Sequence, residues 1–189
     1  MRHVGWSSLG VAAAAALCAL GPVGCAGKFT GGGWIDSRAG APAKATMGFN
    51  LQATGEDGGD LEYRGQFQYS DHGSFAGFPD GVAIHGVIDE VNIAEDIILG
   101  SLGFGGLGFD FGPDGLPGNA VLFTGTYTPQ PESLGDGGAI EGVVVAGGIS
   151  DLDDPRDFVV IHLIGGVYDG YANGGFIQGG SFKYHPTDP

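Results

Sequence analysis

The chain has 189 residues, 40 of them glycine and 10 proline, with 22 acidic side chains against 7 basic ones and a formal net charge of −15. A surface so acidic repels phosphodiester backbones and anionic lipid headgroups, which sets nucleic-acid binding aside as a function. Aromatic residues make up 11% of the chain and alternate with polar ones, so the glycine content does not mark a disordered polymer.

Residues 1–24 open with Arg2 and His3, continue without charge and carry the Ala-rich core VAAAAALCAL at positions 11–20, the layout of an export signal. Gly21-Pro22 would end a helix there. Two cleavage positions fit the small residues that follow. Cleavage before Cys25, where Val23-Gly24-Cys25 resembles the end of a bacterial lipobox, makes Cys25 the lipidated first residue, whereas cleavage after Ala26 releases a soluble protein. Either route predicts an exported protein that is periplasmic, anchored to the outer membrane or extracellular, with residues 25–189 as a single glycine-rich β-domain. Arg2 leaves with the signal, so the mature part keeps 6 of the 7 bases and all 22 acids, a net charge of −16. Cys18 and Cys25 are the only cysteines. No disulfide therefore staples the mature domain, and its apolar core has to stabilise it, for which about 165 residues suffice.

Past Lys28, the segment FTGGGWID sets Trp34 and Ile35 beside three glycines and predicts a short first strand or lid. Residues 45–52 then alternate cleanly, with Ala45, Met47, Phe49 and Leu51 on one face and Thr46, Gly48, Asn50 and Gln52 on the other, the period of a half-buried strand. Residues 61–69 repeat the pattern, with Leu61, Tyr63, Phe67 and Tyr69 opposite Glu62, Arg64, Gln66 and Gln68. The short polar connection between these two strands predicts antiparallel pairing. A further strand spans 82–91, with His85 and Asp89 on one face and Glu90 on the other, and 93–98 suit a single helical turn. The glycine-rich stretch 100–115 reads as a hairpin or flap. Alternation returns at 119–128 and 139–147, and Val143, Val144 and Val145 in a row predict cover on both faces. The acidic loop DLDDPRD leads to Phe158–Ile164, then a short segment at 166–169 and a last strand at 176–184. About nine or ten mostly antiparallel strands without a helix predict an all-β fold, a closed barrel or a two-layer sandwich.

Few of the familiar catalytic constellations are present. GFGGLG at 103–108 matches a dinucleotide fingerprint, but FDFGP follows it where a helix is required, so a nucleotide loop is set aside. There is no G-x-S-x-G, no H-E-x-x-H and no P-loop. Asp151, Asp153, Asp154 and Asp157 form the candidate site for Ca²⁺, although Pro155, Arg156 and His162 depart from the EF-hand pattern. His162, inside an apolar run, is the histidine to place. With His85 and a carboxylate such as Asp89 or Glu141 it would line a barrel cavity and supply a general acid/base pair.

Taken in order, GGGWID at 31–36, KATMGFNLQ at 44–52, GGDLEY at 58–63, VYDG at 167–170 and GGFIQGGSFKYH at 174–185 resemble the post-COAP type of small secreted bacterial β-domain. The resemblance brackets nearly the whole mature chain and implies an exported all-β module, with no catalytic residues and no cofactor to carry over. The expected function is that of an exported, non-enzymatic β-module that binds a ligand or partner protein at the cell surface. Two alternatives stand beside it. One is an enzyme acting on a carbohydrate or small hydrophobic molecule through carboxylates and His162 in a barrel cavity, and the other a Ca²⁺-dependent adhesion module.

Overall fold

A computed structural model of the protein describes residues 27–54, 62–93, 120–147 and 155–186. The strands are β1 (Gly27–Asp36), β2 (Lys44–Thr54), β3 (Glu62–Asp71), β4 (Val82–Ile93), β5 (Ala120–Pro129), β6 (Gly138–Val145), β7 (Phe158–Ile164), β8 (Ala172–Phe176) and β9 (Gly179–Pro186). They form one antiparallel sheet in the order β8-β7-β6-β5-β4-β3-β2-β1-β9. The two edge strands, β8 and β9, are consecutive in the chain and joined only by Ile177 and Gln178. A sheet whose edges are so tethered has to curl until they meet, and the result is a strongly curled, barrel-like body rather than two stacked layers. In the link, Ile177 N–H donates to the Asp157 carbonyl beside β7 and Gln178 N–H donates to the Trp34 carbonyl of β1, each at 2.8 Å. The last segment thus leaves β7 and joins β1 without reversing.

Alternation decides which side chains fill the interior. Ala45, Met47, Phe49 and Leu51 of β2 point inward as the sequence predicts, and they pack with Phe29, Phe67, Phe123, Ile140, Val144, Ile161 and Phe182 from strands around the curl. Phe29, Phe49, Phe67, Phe123 and Phe182 interlock, with neighbouring ring centroids 5.4–6.4 Å apart. Each ring removes enough apolar surface from water to contribute roughly 1.5–3 kcal/mol. The glycines make room for them. A Cβ on Gly142 would lie 2.3 Å from the Phe123 ring, and one on Gly31 would lie 2.5 Å from that of Phe182. Small and large residues alternate around a narrow interior for this reason. Val143, Val145, Phe158 and Val160 point the other way and are also buried, as the run of three valines predicts. On β1 to β4 the wall is apolar inside and polar outside, the inverse of a barrel that spans a membrane.

Three local expectations need correction. The segment predicted as a strand at 166–169 is a 3-10 turn, Gly166–Tyr168, because Gly165 and Gly166 take φ values of 72° and 68° that reverse the chain. The last predicted strand, 176–184, is broken at Ile177-Gln178 where the chain changes partner from β7 to β1. In β4 the register slips between Ile88 and Glu90, so Asp89 is an extra residue and Glu90 shares the outer face with His85 instead of opposing it. The predicted helical turn at 93–98 begins within β4 at Ile93; its remainder, with the glycine-rich 100–115 stretch and residues 1–24, lies outside the described residues.

Candidate functional site

Because the core side chains occupy the interior, the polar groups of β1, β2, β3, β4 and β9 stand on the outer wall in rows set by the register. One row reads His185, Lys28, Gln52 and Arg64 from β9 to β3. The next is Lys183, Thr30, Asn50, Gln66 and Val87, and the one after it Ser181, Gly32, Gly48, Gln68 and His85. A fourth holds Gly179, Trp34, Thr46, Ser70 and Ala83. Thr30 Oγ1 and His185 Nε2 are 3.0 Å apart. At the far border the Lys44 ammonium lies 3.8 Å from the centre of the Trp34 ring, a cation–π contact that holds both side chains. A shallow groove of about 330 Å³ crosses this face, lined by Thr46, Gly48, Gln68, Ser70, Ala83 and Gln130 among others. Gly48 is its open floor: a Cβ there would meet nothing within 4 Å.

A second group of polar side chains is internal, at the end of the barrel where the connections 37–43, 72–81 and 165–171 gather. Asp71, only 2% exposed, accepts Arg38 N–H and Tyr171 O–H on Oδ2 and Gly73 N–H on Oδ1, each at 2.9 Å. Since Tyr171 donates to Asp71, the 2.5 Å contact between the two phenols requires Tyr69 to donate to Tyr171. Tyr69 in turn accepts from Asn173 Nδ2 at 2.8 Å. The chain of donors therefore runs Asn173, Tyr69, Tyr171, Asp71, with every hydroxyl giving one hydrogen bond and taking one. Burial, the dominant cause, raises both phenols well above their ordinary value of 10, and the Asp71 charge adds to it. Phe75 and Phe78 pack on Tyr171 with ring centroids 5.7 Å away and close this end. Asn173 Nδ2 also donates to the Asp36 carbonyl at 3.2 Å, so the network joins β1, β3 and β8 and holds this end of the barrel shut.

The residues singled out from sequence are distributed as follows. Glu141 and His162 do meet, with Oε1 2.8 Å from Nδ1, as directly paired residues of β6 and β7. They meet on the outer wall, where they are 17% and 21% exposed, and not in a cavity. The reason is parity: Ile161 and Leu163 on either side of His162 are in the core, as is Ile140 beside Glu141, so His162 and Glu141 point out. The same row continues to Thr124, whose hydroxyl donates to Glu90 at 3.3 Å. His85 is likewise on the outer wall, and the exposed Asp89 is displaced by the bulge, so neither joins His162. Asp157 serves the fold: its Oδ1 accepts Gly147 N–H at 2.7 Å and its Oδ2 accepts Phe182 N–H at 2.5 Å. Asp151, Asp153, Asp154 and Cys25 lie outside the described residues. Among the described residues, no three His, Cys, Asp or Glu side chains converge as metal ligands would.

Sequence reasoning missed that Lys183 and His185 stand beside Lys28 on the outer face that also carries Arg64, with Gln52 between Lys28 and Arg64. The outward parity of 64, 66 and 68 was visible, but only the β1–β9 ladder brings residues 183 and 185 onto the same face. The fold and the outer face define a barrel-like antiparallel β-domain with a packed interior and a polar exterior. No protein-family model, curated protein or solved structure matches this chain.

Proposed function

We propose that this is an exported β-module, as its post-COAP resemblance implies, and that it is non-enzymatic and meets its ligand or partner at the cell surface through the outer face of β9, β1, β2, β3 and β4. The observation that carries this reading is the inversion of filling. The interlocked phenylalanines take up the interior, where small β-barrels that carry a ligand leave a hollow, and the groove and the hydrogen-bonding side chains are on the outside. The export layout of residues 1–24 supports the location. The test is a native mass spectrum of the protein purified from its own host, before and after substituting Gln66 and Gln68 by alanine. A non-covalent adduct that these substitutions remove is the expected result; an adduct indifferent to them would place binding elsewhere and defeat the reading. The covalent mass reports in the same spectrum whether Cys25 carries lipid.

One observation favours a second reading, an enzyme acting on a carbohydrate: the Glu141–His162 contact has the 2.8 Å spacing of a general acid/base pair. Hydrolysis of a glycan that disappears in His162→Gln while the fold is kept would establish it, and unchanged hydrolysis in that variant would reject it.

A further inference from the structure

The outer face of the sheet is not polar throughout. At one end of β5, β6 and β7 it carries two apolar rows, Ala120, Val145 and Phe158 in the first and Leu122, Val143 and Val160 in the second, each residue directly paired with the next. None of the six belongs to the interior cluster, yet Leu122 is 7% exposed and the other five at most 1%. The next row, Thr124, Glu141 and His162, is polar and partly exposed, so the apolar patch ends there. Among the described residues the strands make a single layer, and the two 3-10 turns, Glu132–Leu134 and Gly166–Tyr168, follow β5 and β7 at the opposite end of these strands. Buried side chains on the outside of a curled sheet need a cover. They are buried within a single chain, so the cover comes from the chain itself and not from a second copy.

The connection 94–119 meets this requirement. It leaves β4 at Ile93 and returns at Ala120, the first residue of the patch, and Ile93 is paired with Val121, so it starts and ends beside the patch. A hairpin connection needs only about 2–5 residues, and this one is several times longer. Its centre alternates: Leu102 and Phe104 precede Gly105-Gly106, and Leu107, Phe109 and Phe111 follow, with glycine or aspartate between the apolar residues of each arm. Gly-Gly suits a two-residue hairpin turn, and a turn there pairs Phe104 with Leu107 and Leu102 with Phe109, which puts the large side chains of both arms on one face. An isolated two-stranded hairpin is marginal in water and needs an apolar surface to pack on. The other connections at this end are poorer matches. Residues 55–61 hold three acids and one large apolar residue, Leu61, and residues 148–154 hold Asp151, Asp153 and Asp154.

We infer that residues 100–115 dock as a hairpin on the outer face of β5, β6 and β7, with the rings of Phe104, Phe109 and Phe111 against Val143, Phe158 and Val160. The glycine-rich stretch that mimics a dinucleotide fingerprint is then a structural layer, its glycines serving a tight turn and close packing on the sheet. The outer wall is divided accordingly. The β5–β7 sector is occupied by the chain itself, and the face from β9 to β4 is the one left to a ligand.

The test is disulfide trapping in the full chain carrying Cys18→Ser and Cys25→Ser, which removes the only native thiols. Val143→Cys or Val160→Cys is combined in turn with Phe104→Cys, Phe109→Cys or Phe111→Cys and oxidised mildly; control pairs use Gln68→Cys, on the outer face of β3, in place of the wall position. A disulfide requires Cα atoms within about 7 Å, so at least one wall pair is expected to close within the molecule in more than about half of the chains, and the Gln68 pairs to stay reduced. Closure with the wall positions no more frequent than with Gln68→Cys overturns the proposal. Disulfides that form only between molecules assign the face to a second copy and overturn it as well. As a second measurement, Phe104→Ser combined with Phe109→Ser and Phe111→Ser is expected to lower the urea midpoint and to raise the binding of an apolar dye at least about threefold, while Asp110→Asn with Asp114→Asn changes neither. Wild-type midpoint and dye binding in the triple variant would also overturn the proposal; should that variant fail to fold, the trapping result decides.

Discussion

Two glycines in this protein show opposite uses of a missing side chain. Gly142 yields its place to the Phe123 ring, which is fully buried and has nowhere to retreat. Gly142→Val is therefore expected to destabilise the domain by about 1–3 kcal/mol through overpacking, measured as a lower urea midpoint at unchanged slope. Gly48, in contrast, faces open space, and Gly48→Thr should leave the midpoint unchanged or raise it, by up to about 1 kcal/mol. A second residue-scale prediction concerns Asp71, whose two carboxylate oxygens receive only donors. In Asp71→Asn one of those oxygens becomes an NH₂ group facing an N–H or O–H, and a buried donor is left without a partner. The expected loss is about 1–3 kcal/mol on chemical denaturation. A loss no larger than that of an exposed Asp→Asn substitution would show that the network relaxes around the change.

At the scale of elements, the bond that keeps the sheet curled is concentrated at Asp157. Its carboxylate binds the amides of Gly147, just after β6, and of Phe182 in β9, while its carbonyl takes the amide of Ile177 in the β8–β9 link. A single side chain thereby ties the strands on one edge of the sheet to the strand on the other. Asp157→Ala removes both carboxylate bonds and should cost about 1–3 kcal/mol. The distinguishing measurement is amide hydrogen exchange: protection at Phe182 should drop well before protection at Phe67 in the opposite wall, and equal changes at both would contradict a clamp. The bulge at Asp89 acts on the neighbouring wall. By inserting one residue it places both Ile88 and Val91 in the core and turns Glu90 outward to Thr124, an arrangement a regular strand cannot give.

At the scale of the molecule, the sealed polar network sets a pH response. Tyr69 and Tyr171 keep their protons in the folded state to values above the ordinary 10, whereas in the unfolded chain they release them near it. Below about pH 10 both states are protonated and these groups contribute no pH dependence. Above it the unfolded state binds fewer protons, so stability falls as pH rises, by about 1.4 kcal/mol per unit for each phenol held neutral. Denaturation measured between about pH 8 and 11 should show this loss, and a Tyr69→Phe, Tyr171→Phe double variant should show a flatter profile. A wild-type profile that stays level across that range would mean the phenols titrate freely.

Much of this was legible in the sequence because a strand's period is short and local. The alternation over 45–52 identifies which side chains of β2 are inside without reference to any other strand, and the run of β-branched residues in Phe158–Ile164 identifies a strand covered on both faces. Parity puts His162 on the face opposite Ile161 and Leu163, but in a strand covered on both faces it does not say which face is the interior; the packing of Ile161 and Leu163 into the core decides that His162 points out. What the sequence determined by itself was the class of fold, the inward set of most strands and the antiparallel pairing of neighbours. Tertiary structure alone decided how the edges of the sheet meet, and hence that Lys183 and His185 lie beside Lys28 and one strand further from Arg64. It also decided that Asp71, Tyr69, Tyr171 and Asn173, scattered over more than a hundred positions, form one hydrogen-bonded chain. The physical reason is that alternation fixes the face of a residue within its strand, while the ladder that closes a curled sheet joins segments about 150 residues apart, and nothing local in either segment encodes its partner.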